Sequence, residues 1–326
     1  MSRHKREYRD LPEFIIGITR DIWENRNISS LRELYAPDVV MCSPASIVRG
    51  NEAVINATMA TLAEFPDRSL LGEDVIWCGE RGSGFLSSHR LLSTATHLGQ
   101  GFYGKSTGKR FAYRVIADCH VMAGKWCIDE EWLIRDHGAI VRQLGKTPED
   151  FAREQIILEG GPGKATTPVR HQDTLGTKYS GKGNDNPFGK HYADILGEIM
   201  DGSFAVIPRE YDRACHLEYA GGITGHSHGD ADRFWMGVRS SFPDAVFRIE
   251  HRIGRHDDNM PPRAALRWSL VGSHSGTGAF GHPTGATVHV MGACHAEFGP
   301  WGLRREYVLI DEVSIWKQIL ISSEGD

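Results

Sequence analysis

Two histidine–glutamate pairs stand out among the residues that could do chemistry, one pair in each half of the chain. His120 and Glu131 lie on neighbouring segments of the first half, and His295 and Glu306 lie on similar segments of the second. A carboxylate beside an imidazole in apolar surroundings can orient the ring and move its pKa toward neutral pH. Such a pair suits proton abstraction from carbon or activation of water. The alternative interpretation is a buried, satisfied pair that ties two strands together.

Further polar side chains could surround a substrate near the first pair. Alternate side chains of a strand share a face, so Asp118 would share the face of His120, and Arg135 that of Glu131. His97 precedes a glycine-rich bend, where its ring could hold the turn or lie at the mouth of a pocket. We therefore predict His120 and Glu131 as catalytic residues. The predicted substrate-binding residues are Asp118, His89, Arg135, His97, His295 and Glu306.

One segment of the second half carries residue types that could bind a metal. His226 and His228 are followed by Asp230 and Asp232, and imidazole with carboxylate is a donor set that a divalent cation can use. The other spaced ligands of a cupin-like site are missing, so we predict neither a metal nor a cofactor. The six cysteines have no zinc-like spacing and are expected to be reduced and mostly buried.

The chain contains an internal repeat. Cys119-His120 and the residues after it recur from Cys294-His295 onward, and Thr96-His97 recurs as Ser273-His274. The distance along the chain between the two copies is two residues longer for Thr96-His97 than for Cys119-His120. This predicts that the first half carries two extra residues between these two blocks. A polar, glycine-rich stretch over residues 159–189 separates the halves. We predict domain 1 over residues 1–150, a linker over residues 151–186, and domain 2 over residues 187–326.

Each half begins with helical periodicity and continues with alternating strands, the pattern of an α+β domain. Helices are expected around Ile15, after a cap at Ser29, and before Pro66. Trp132 and Tyr307 are expected to pack beneath the helices, and Asp136 and Asp311 to cap a following helical turn. The predicted strands are 74–77, 84–96, 109–121 and 125–135 in domain 1, and 246–253, 264–273, 286–298 and 303–311 in domain 2. A strongly curved sheet under helices makes a cone with an interior that could bind a ligand.

The stretch Glu130-Glu131-Trp132-Leu133-Ile134-Arg135-Asp136, followed by residues 140–145, resembles the closing segment of the SnoaL-like polyketide cyclases, in the nuclear transport factor two-like superfamily. The Thr107–Phe111 turn and the stretch after His97 resemble that family too, so that the likeness spans residues 12–146. It implies a cone-shaped (cystatin-like) domain with a curved antiparallel sheet and covering N-terminal helices. For the cyclases it also implies a histidine and an aspartate that do acid and base work. His120 matches that histidine, but the aspartate position falls on Leu133 and, in domain 2, on Val308.

This family hosts many chemistries, so two functions stay open. The first is an enzyme of cyclase, isomerase, dehydratase or hydrolase type that acts without a metal on a small apolar cyclic or carbonyl metabolite. The second is a noncatalytic ligand-binding or assembly module. In either case the two cones could dock sheet to sheet as an internal pseudo-dimer, which could assemble further into a homo-oligomer.

Composition restricts the partners. The formal net charge of −5 and the isoelectric point near 6.3 give no basic surface for nucleic acid. No apolar run is long enough for a membrane span, and residues 1–10 lack the apolar core of a signal peptide. We therefore expect a cytoplasmic protein whose partner is a small molecule.

Overall fold

The computed structural model describes residues 7–179 and 182–323, which form two halves of the same plan. The first half contains α1 (Leu11–Thr19), α2 (Leu31–Leu34), β1 (Tyr35–Cys42), β2 (Ile47–Arg49), α3 (Asn51–Glu64), β3 (Ser69–Glu80), β4 (Gly84–Thr96), β5 (Arg110–Val121), β6 (Ile128–Arg135), α4 (His137–Leu144) and α5 (Pro148–Leu158). The second contains β7 (Lys182–Gly183), α6 (Pro187–Met200), α7 (Val206–Glu210), β8 (Tyr211–Tyr219), β9 (Ile223–Gly225), α8 (His228–Ser241), β10 (Val246–Arg255), β11 (Arg263–Ser273), β12 (Thr287–Gly299), β13 (Gly302–Ile310) and α9 (Glu312–Ser323). The α+β class and the two-domain cone plan are confirmed. Residues 1–6 of the charged amino-terminal segment lie outside the described residues.

The sheets are mixed, so the prediction of antiparallel sheets is wrong in one respect. The strand order is β2-β1-β6-β5-β4-β3 in domain 1 and β7-β10-β11-β12-β13-β8-β9 in domain 2. The neighbours β1 and β6 are parallel, as are β8 and β13, and β7 and β10. The sequence prediction missed β1 and β8, which close each sheet against its last long strand.

Local chemistry explains where several helices begin and end. Asp10 caps α1 by accepting the backbone N–H of Glu13 at 2.9 Å. Asp136 accepts the N–H of Ala139 at 2.9 Å, which confirms it as the cap of α4. Asp311 likewise accepts the N–H of Ser314 at 3.2 Å at the start of α9. The predicted cap at Ser29 is wrong, because Ser29 lies inside a 3-10 turn (Ile28–Ser30) and its hydroxyl donates to the side chain of Asn27.

The strand register places the two-residue difference between the halves elsewhere than predicted. Gln143 bonds both backbone groups of Ala112, and Gln318 bonds both backbone groups of His289. Ala112 and His289 are therefore equivalent, and β5 corresponds to β12 at the longer of the two repeat spacings. The last strands, β6 and β13, correspond at the shorter one. The extra residues thus lie in the longer hairpin loop over residues 122–127.

This register changes which residues are equivalent. His120 corresponds in space to Glu297, and His295 corresponds to Asp118. The match of Cys119-His120 with Cys294-His295 is thus a coincidence of sequence, and the two histidines do not occupy the same place in the two domains.

The two sheets pack against each other through a shared apolar core, which includes Ile116 and Trp132 from domain 1 and Met291 and Leu309 from domain 2. Trp132 lies between the sheets, with the Arg267 guanidinium 3.7 Å above its ring, and Tyr307 lies beneath Arg90 at 3.5 Å. The prediction that these two rings pack beneath the helices is therefore wrong, because their strands turn that face toward the other domain.

The predicted linker is more ordered than its composition suggests. Residues 151–158 belong to α5, which packs on α9 and buries Phe151 and Ile156. Tyr179 is fully buried between the sheets and donates its hydroxyl to the carbonyl of Ser87 at 3.0 Å. Residues 180–181 lie outside the described residues.

All six cysteines are free, and four of them are buried. Among the described residues, no helix has the length and apolar character needed to cross a membrane.

Candidate functional site

Domain 1 encloses a cavity of about 110 Å³ between its helices and the concave face of its sheet. An engineered cavity of about 150 Å³ in another protein accepts benzene, and the present cavity is smaller than that one. The lining is mostly aliphatic, from residues such as Ile18, Val54 and Leu91. Polar side chains interrupt it, namely those of Glu131, His89, Arg68 and Arg135.

Glu131 lies at one end of the cavity. Tyr35 donates its hydroxyl to Oε2 of Glu131 at 2.6 Å, and the Sγ of Cys119 lies 3.9 Å from the same oxygen. Burial raises the pKa of Glu131 above its ordinary value, and the Tyr35 and Cys119 bonds oppose that rise. A carboxyl group with a raised pKa in an apolar cavity can exchange protons near neutral pH.

His89 projects from β4 into the middle of the cavity. Its side chain is only 2% exposed, and its Nε2 has no hydrogen-bond partner among the described residues. Burial, and secondarily the charge of Arg90, lowers the pKa of His89 to about 3, so the ring is neutral at physiological pH. The absence of a side chain at Gly72 makes room for the ring, since a Cβ there would lie 3.0 Å from Nε2.

Two arginines form the other end of the cavity. Arg68 is 3% exposed, donates its Nε to the hydroxyl of Ser93 at 3.3 Å, and stacks on Trp23 at 4.3 Å. Arg135 approaches from β6. Tyr113 lies beside both arginines. Burial acts to raise the pKa of its phenol, but the two positive charges outweigh burial and leave that pKa below its ordinary value.

The predicted pairing of His120 with Glu131 is wrong. The residue opposite Glu131 on β5 is Cys119, so His120 points to the other face of the sheet. There its Nδ1 lies 2.5 Å from Oδ1 of Asp129. Asp118 shares that face and meets the Arg267 guanidinium at 3.5 Å, away from the cavity. A β-bulge between His120 and Val121 shifts the pairing of β5 with β6 by one residue, so that Glu131 lies opposite Cys119 rather than Asp118.

Comparison with known proteins identifies the fold of this site. The model of the SnoaL-like polyketide cyclase family matches residues 14–144. Most of domain 1 is therefore similar to this family. IdmH from Streptomyces antibioticus is 26% identical, with a TM-score of 0.36, over 41% of this chain and 98% of IdmH. AclR from Streptomyces galilaeus is 21% identical, with a TM-score of 0.36, over 43% of this chain and 89% of AclR. A SnoaL-like polyketide cyclase from Agrobacterium tumefaciens is 16% identical, with a TM-score of 0.35, over 42% of this chain and 100% of its own. No curated protein matches.

The remaining predicted residues lie outside the cavity of this SnoaL-like domain. His97 is buried in its turn, with Nδ1 3.3 Å from the Thr107 hydroxyl and Nε2 3.4 Å from Glu64, so it holds the bend. His295 lies between the domains, where its Nε2 is 2.8 Å from the hydroxyl of Ser88. Only Glu131, His89 and Arg135 of the predicted set meet in the cavity.

Glu306 occupies in domain 2 the place that Glu131 has in the SnoaL-like domain. Three tyrosine hydroxyls, those of Tyr192, Tyr211 and Tyr219, donate to its carboxylate at 2.7–2.8 Å. The indole of Trp235 lies 3.4 Å away. This carboxylate is fully buried within the core of domain 2, which indicates a structural role.

The other polar positions of the cavity have apolar equivalents in domain 2. The equivalent residues in domain 2 are Ala245 for Arg68, Leu266 for His89, Leu270 for Ser93, Val290 for Tyr113 and Ile310 for Arg135. Leu91 and Val115 correspond to Trp268 and Gly292, and a Cβ on Gly292 would lie 2.2 Å from the Trp268 indole. The Trp268 ring therefore fills the place that the SnoaL-like domain leaves open.

Sequence reasoning missed Arg68, Tyr113 and Tyr35. A signal for Arg68 was present, because it follows the repeated Pro-Asp pair and Ala245 takes its place in the second copy. A position that is charged in one copy and apolar in the other marks a side chain that the fold does not need.

The His226–His228 segment forms the start of α8. Asp230 accepts the N–H of His226 at 3.0 Å, and the His228 ring lies 3.1 Å from the carbonyl of Tyr211. No group of three or more histidine, cysteine or acidic side chains with metal-binding geometry occurs among residues 7–179 and 182–323.

Proposed function

We propose that domain 1 is an acid–base catalyst that acts on a small, largely apolar, carbonyl-containing metabolite in the cavity bounded by Glu131, His89 and Arg135. The observation that carries the proposal is the contrast between the two copies of the fold. One copy holds buried polar side chains around an open cavity, and the other fills the same space with apolar ones. Buried polar groups without partners are costly, so their presence in one copy alone favours a role in function.

The geometry suits proton transfer at a carbon next to a carbonyl group. The ionised carboxylate of Glu131 would take the proton, and the electron pair of the broken C–H bond would move onto the carbonyl oxygen as an enolate. The neutral imidazole of His89, two strands across the sheet from Glu131, can donate a hydrogen bond to that oxygen. Return of the proton from Glu131 at another carbon isomerises the substrate. Alternatively, the enolate carbon attacks a second carbonyl carbon and closes a ring, and the oxygen of that carbonyl takes the electron pair of its C=O bond and the proton from Glu131.

We further propose that domain 2 acts as the internal partner of domain 1, in the manner of the second subunit of a dimer. The supporting contacts are reciprocal: Arg90 contacts Tyr307 and His295, and Arg267 contacts Trp132 and Asp118. Arg90 is equivalent to Arg267, Tyr307 to Trp132, and His295 to Asp118. The two sets of contacts are therefore related to each other as in a two-fold interface.

The test is hydrogen exchange at carbon. The protein is incubated in D2O with a panel of cyclic ketones, 2-tetralone among them, and deuterium at the α-carbon is measured by mass spectrometry. We expect catalysed exchange that falls by about 10²- to 10⁴-fold in Glu131→Gln, because the base is lost while its shape is kept.

His120→Gln is the matched control, since His120 lies on the outer face of the same sheet and should keep exchange at the wild-type rate. Undiminished exchange in Glu131→Gln would contradict the proposal. Absence of exchange with every ketone would instead favour the noncatalytic module.

A further inference from the structure

Arg68 and Arg135 face the cavity of domain 1 without a carboxylate partner. Among the described residues, no Asp or Glu side chain forms an ion pair with the guanidinium group of either arginine. Nη1 of Arg68 and Nε of Arg135 are buried and have no hydrogen-bond partner in the described part of the chain. The Tyr113 ring lies beside them, with its centroid 5.8 Å from the Arg68 guanidinium. Two buried guanidinium groups therefore converge on one end of the cavity.

The fold does not account for these charges. Among carboxylates, that of Asp311 acts on Arg135, but it already accepts backbone N–H groups at the start of α9. The equivalents of the two arginines in domain 2 are Ala245 and Ile310, and that domain keeps the same strands and helices. Arginines of like charge are unfavourable neighbours in a buried site, and here burial and the charge of Arg135 lower the pKa of Arg68 to about 10.

We propose that Arg68 and Arg135 bind a carboxylate group of the substrate, at the end of the cavity opposite Glu131. A bound carboxylate would supply the negative charge that the site lacks, and each of its oxygens would accept a charge-assisted hydrogen bond. A carboxylate is planar and smaller than a phosphate, which suits one end of a cavity of about 110 Å³. The assignment deepens the proposed function, on which it rests for the reaction.

The strand geometry adds a length requirement. Glu131 and Arg135 lie on the same face of β6, four residues apart, so their Cα atoms are separated by about 13 Å along the strand. His89 projects between them from β4. The carbon that reacts and the carboxylate therefore belong to opposite ends of the substrate, and the apolar lining covers the part between them.

Binding of small probes tests the carboxylate site without any turnover. Benzoate, benzamide and phenyl phosphate are titrated into the full chain by calorimetry. We expect benzoate to bind at least 10-fold more tightly than its neutral amide, because charge-assisted hydrogen bonds in a buried site discriminate by about that factor or more. Arg68→Ala and Arg135→Ile, which copy the residues of domain 2, should each remove that preference.

Control variants separate this inference from the proposed function. Glu131→Gln should keep the preference for benzoate while it loses proton exchange. Equal binding of benzoate and benzamide, or tighter binding of phenyl phosphate, would overturn the carboxylate assignment whatever the exchange result. An arginine-dependent preference in a protein without exchange would keep the carboxylate site and reject the catalytic proposal. Thermal unfolding of each variant shows that it is folded.

Discussion

At the scale of single residues, burial sets the protonation state of the cavity. His89 stays neutral in the folded chain because its ring is enclosed, and its pKa falls to about 3. In the unfolded chain the ring has an ordinary pKa near 6.5. Below pH 6.5 the unfolded chain therefore takes up a proton that the folded chain does not, so stability is lost as the pH falls from 6.5 to about 3.

Replacement of His89 by leucine, the residue at its equivalent Leu266, should remove this acid sensitivity. The wild-type protein should lose about 1.4 kcal/mol of unfolding free energy through His89 between pH 7.5 and pH 5.5, and His89→Leu should lose that much less. Urea unfolding at the two pH values measures the difference. Equal acid sensitivity of both proteins would show that the His89 ring is not enclosed as described.

The same scale shows what sequence reasoning could and could not find. Glu131, His89 and Arg135 were predicted because their types and strand alternation are visible in the sequence. His120 was predicted to join them because the β-bulge in the pairing of β5 with β6, between His120 and Val121, cannot be seen in the sequence. A one-residue change in register moves a side chain to the other face of a sheet, so such an error reverses the assignment completely.

At the scale of elements, the two cones differ in the sizes of the side chains on two neighbouring strands. Domain 1 has Leu91 on β4 opposite Val115 on β5, and domain 2 has Trp268 on β11 opposite Gly292 on β12. The helices, the strands and the bulge near the start of β3 and β10 are retained. The sequence predicted the long central strands well, but β1 and β8 have no clear alternation and were missed.

Leu91→Trp should close the cavity of domain 1. We expect the indole to occupy the ligand space, as Trp268 does in domain 2, and to weaken benzoate binding by at least 10-fold. Overpacking against Val115 should lower the unfolding free energy by about 1–3 kcal/mol. Calorimetric titration and urea unfolding measure the two effects. Trp268→Leu is the matched control, because it opens space in domain 2 and should leave benzoate binding unchanged; unaltered binding in Leu91→Trp would place the ligand elsewhere.

At the scale of the whole molecule, the two sheets are joined by buried charges as well as by apolar side chains. Arg267 crosses from domain 2 to lie on Trp132, beside Asp118 and the carbonyl of Tyr179. Burial raises the pKa of Asp118 to about 6, and the charge of Arg267 opposes that rise. The buried charges of Arg267 and Asp118 therefore compensate each other.

Arg267→Leu should destabilise the protein by about 3–5 kcal/mol, because it leaves the Asp118 carboxyl buried without its cation. The double variant Arg267→Leu/Asp118→Leu should recover part of that loss, since no uncompensated charge remains. Urea unfolding at pH 7.5 measures both variants against the single variant Asp118→Leu. A double variant with the summed loss of the two single variants would show that the charges are not coupled.

The covalent connection between the domains, to which Tyr179 belongs, determines how many of the cones can hold a ligand. In a dimer of identical chains every substitution appears twice about the axis, so both cones must stay alike. A single chain that carries both halves is free of that constraint, and a tryptophan can fill one cone without touching the other. Each chain therefore has one open cavity for its two cones, and the covalent connection fixes this ratio, whatever subunits assemble.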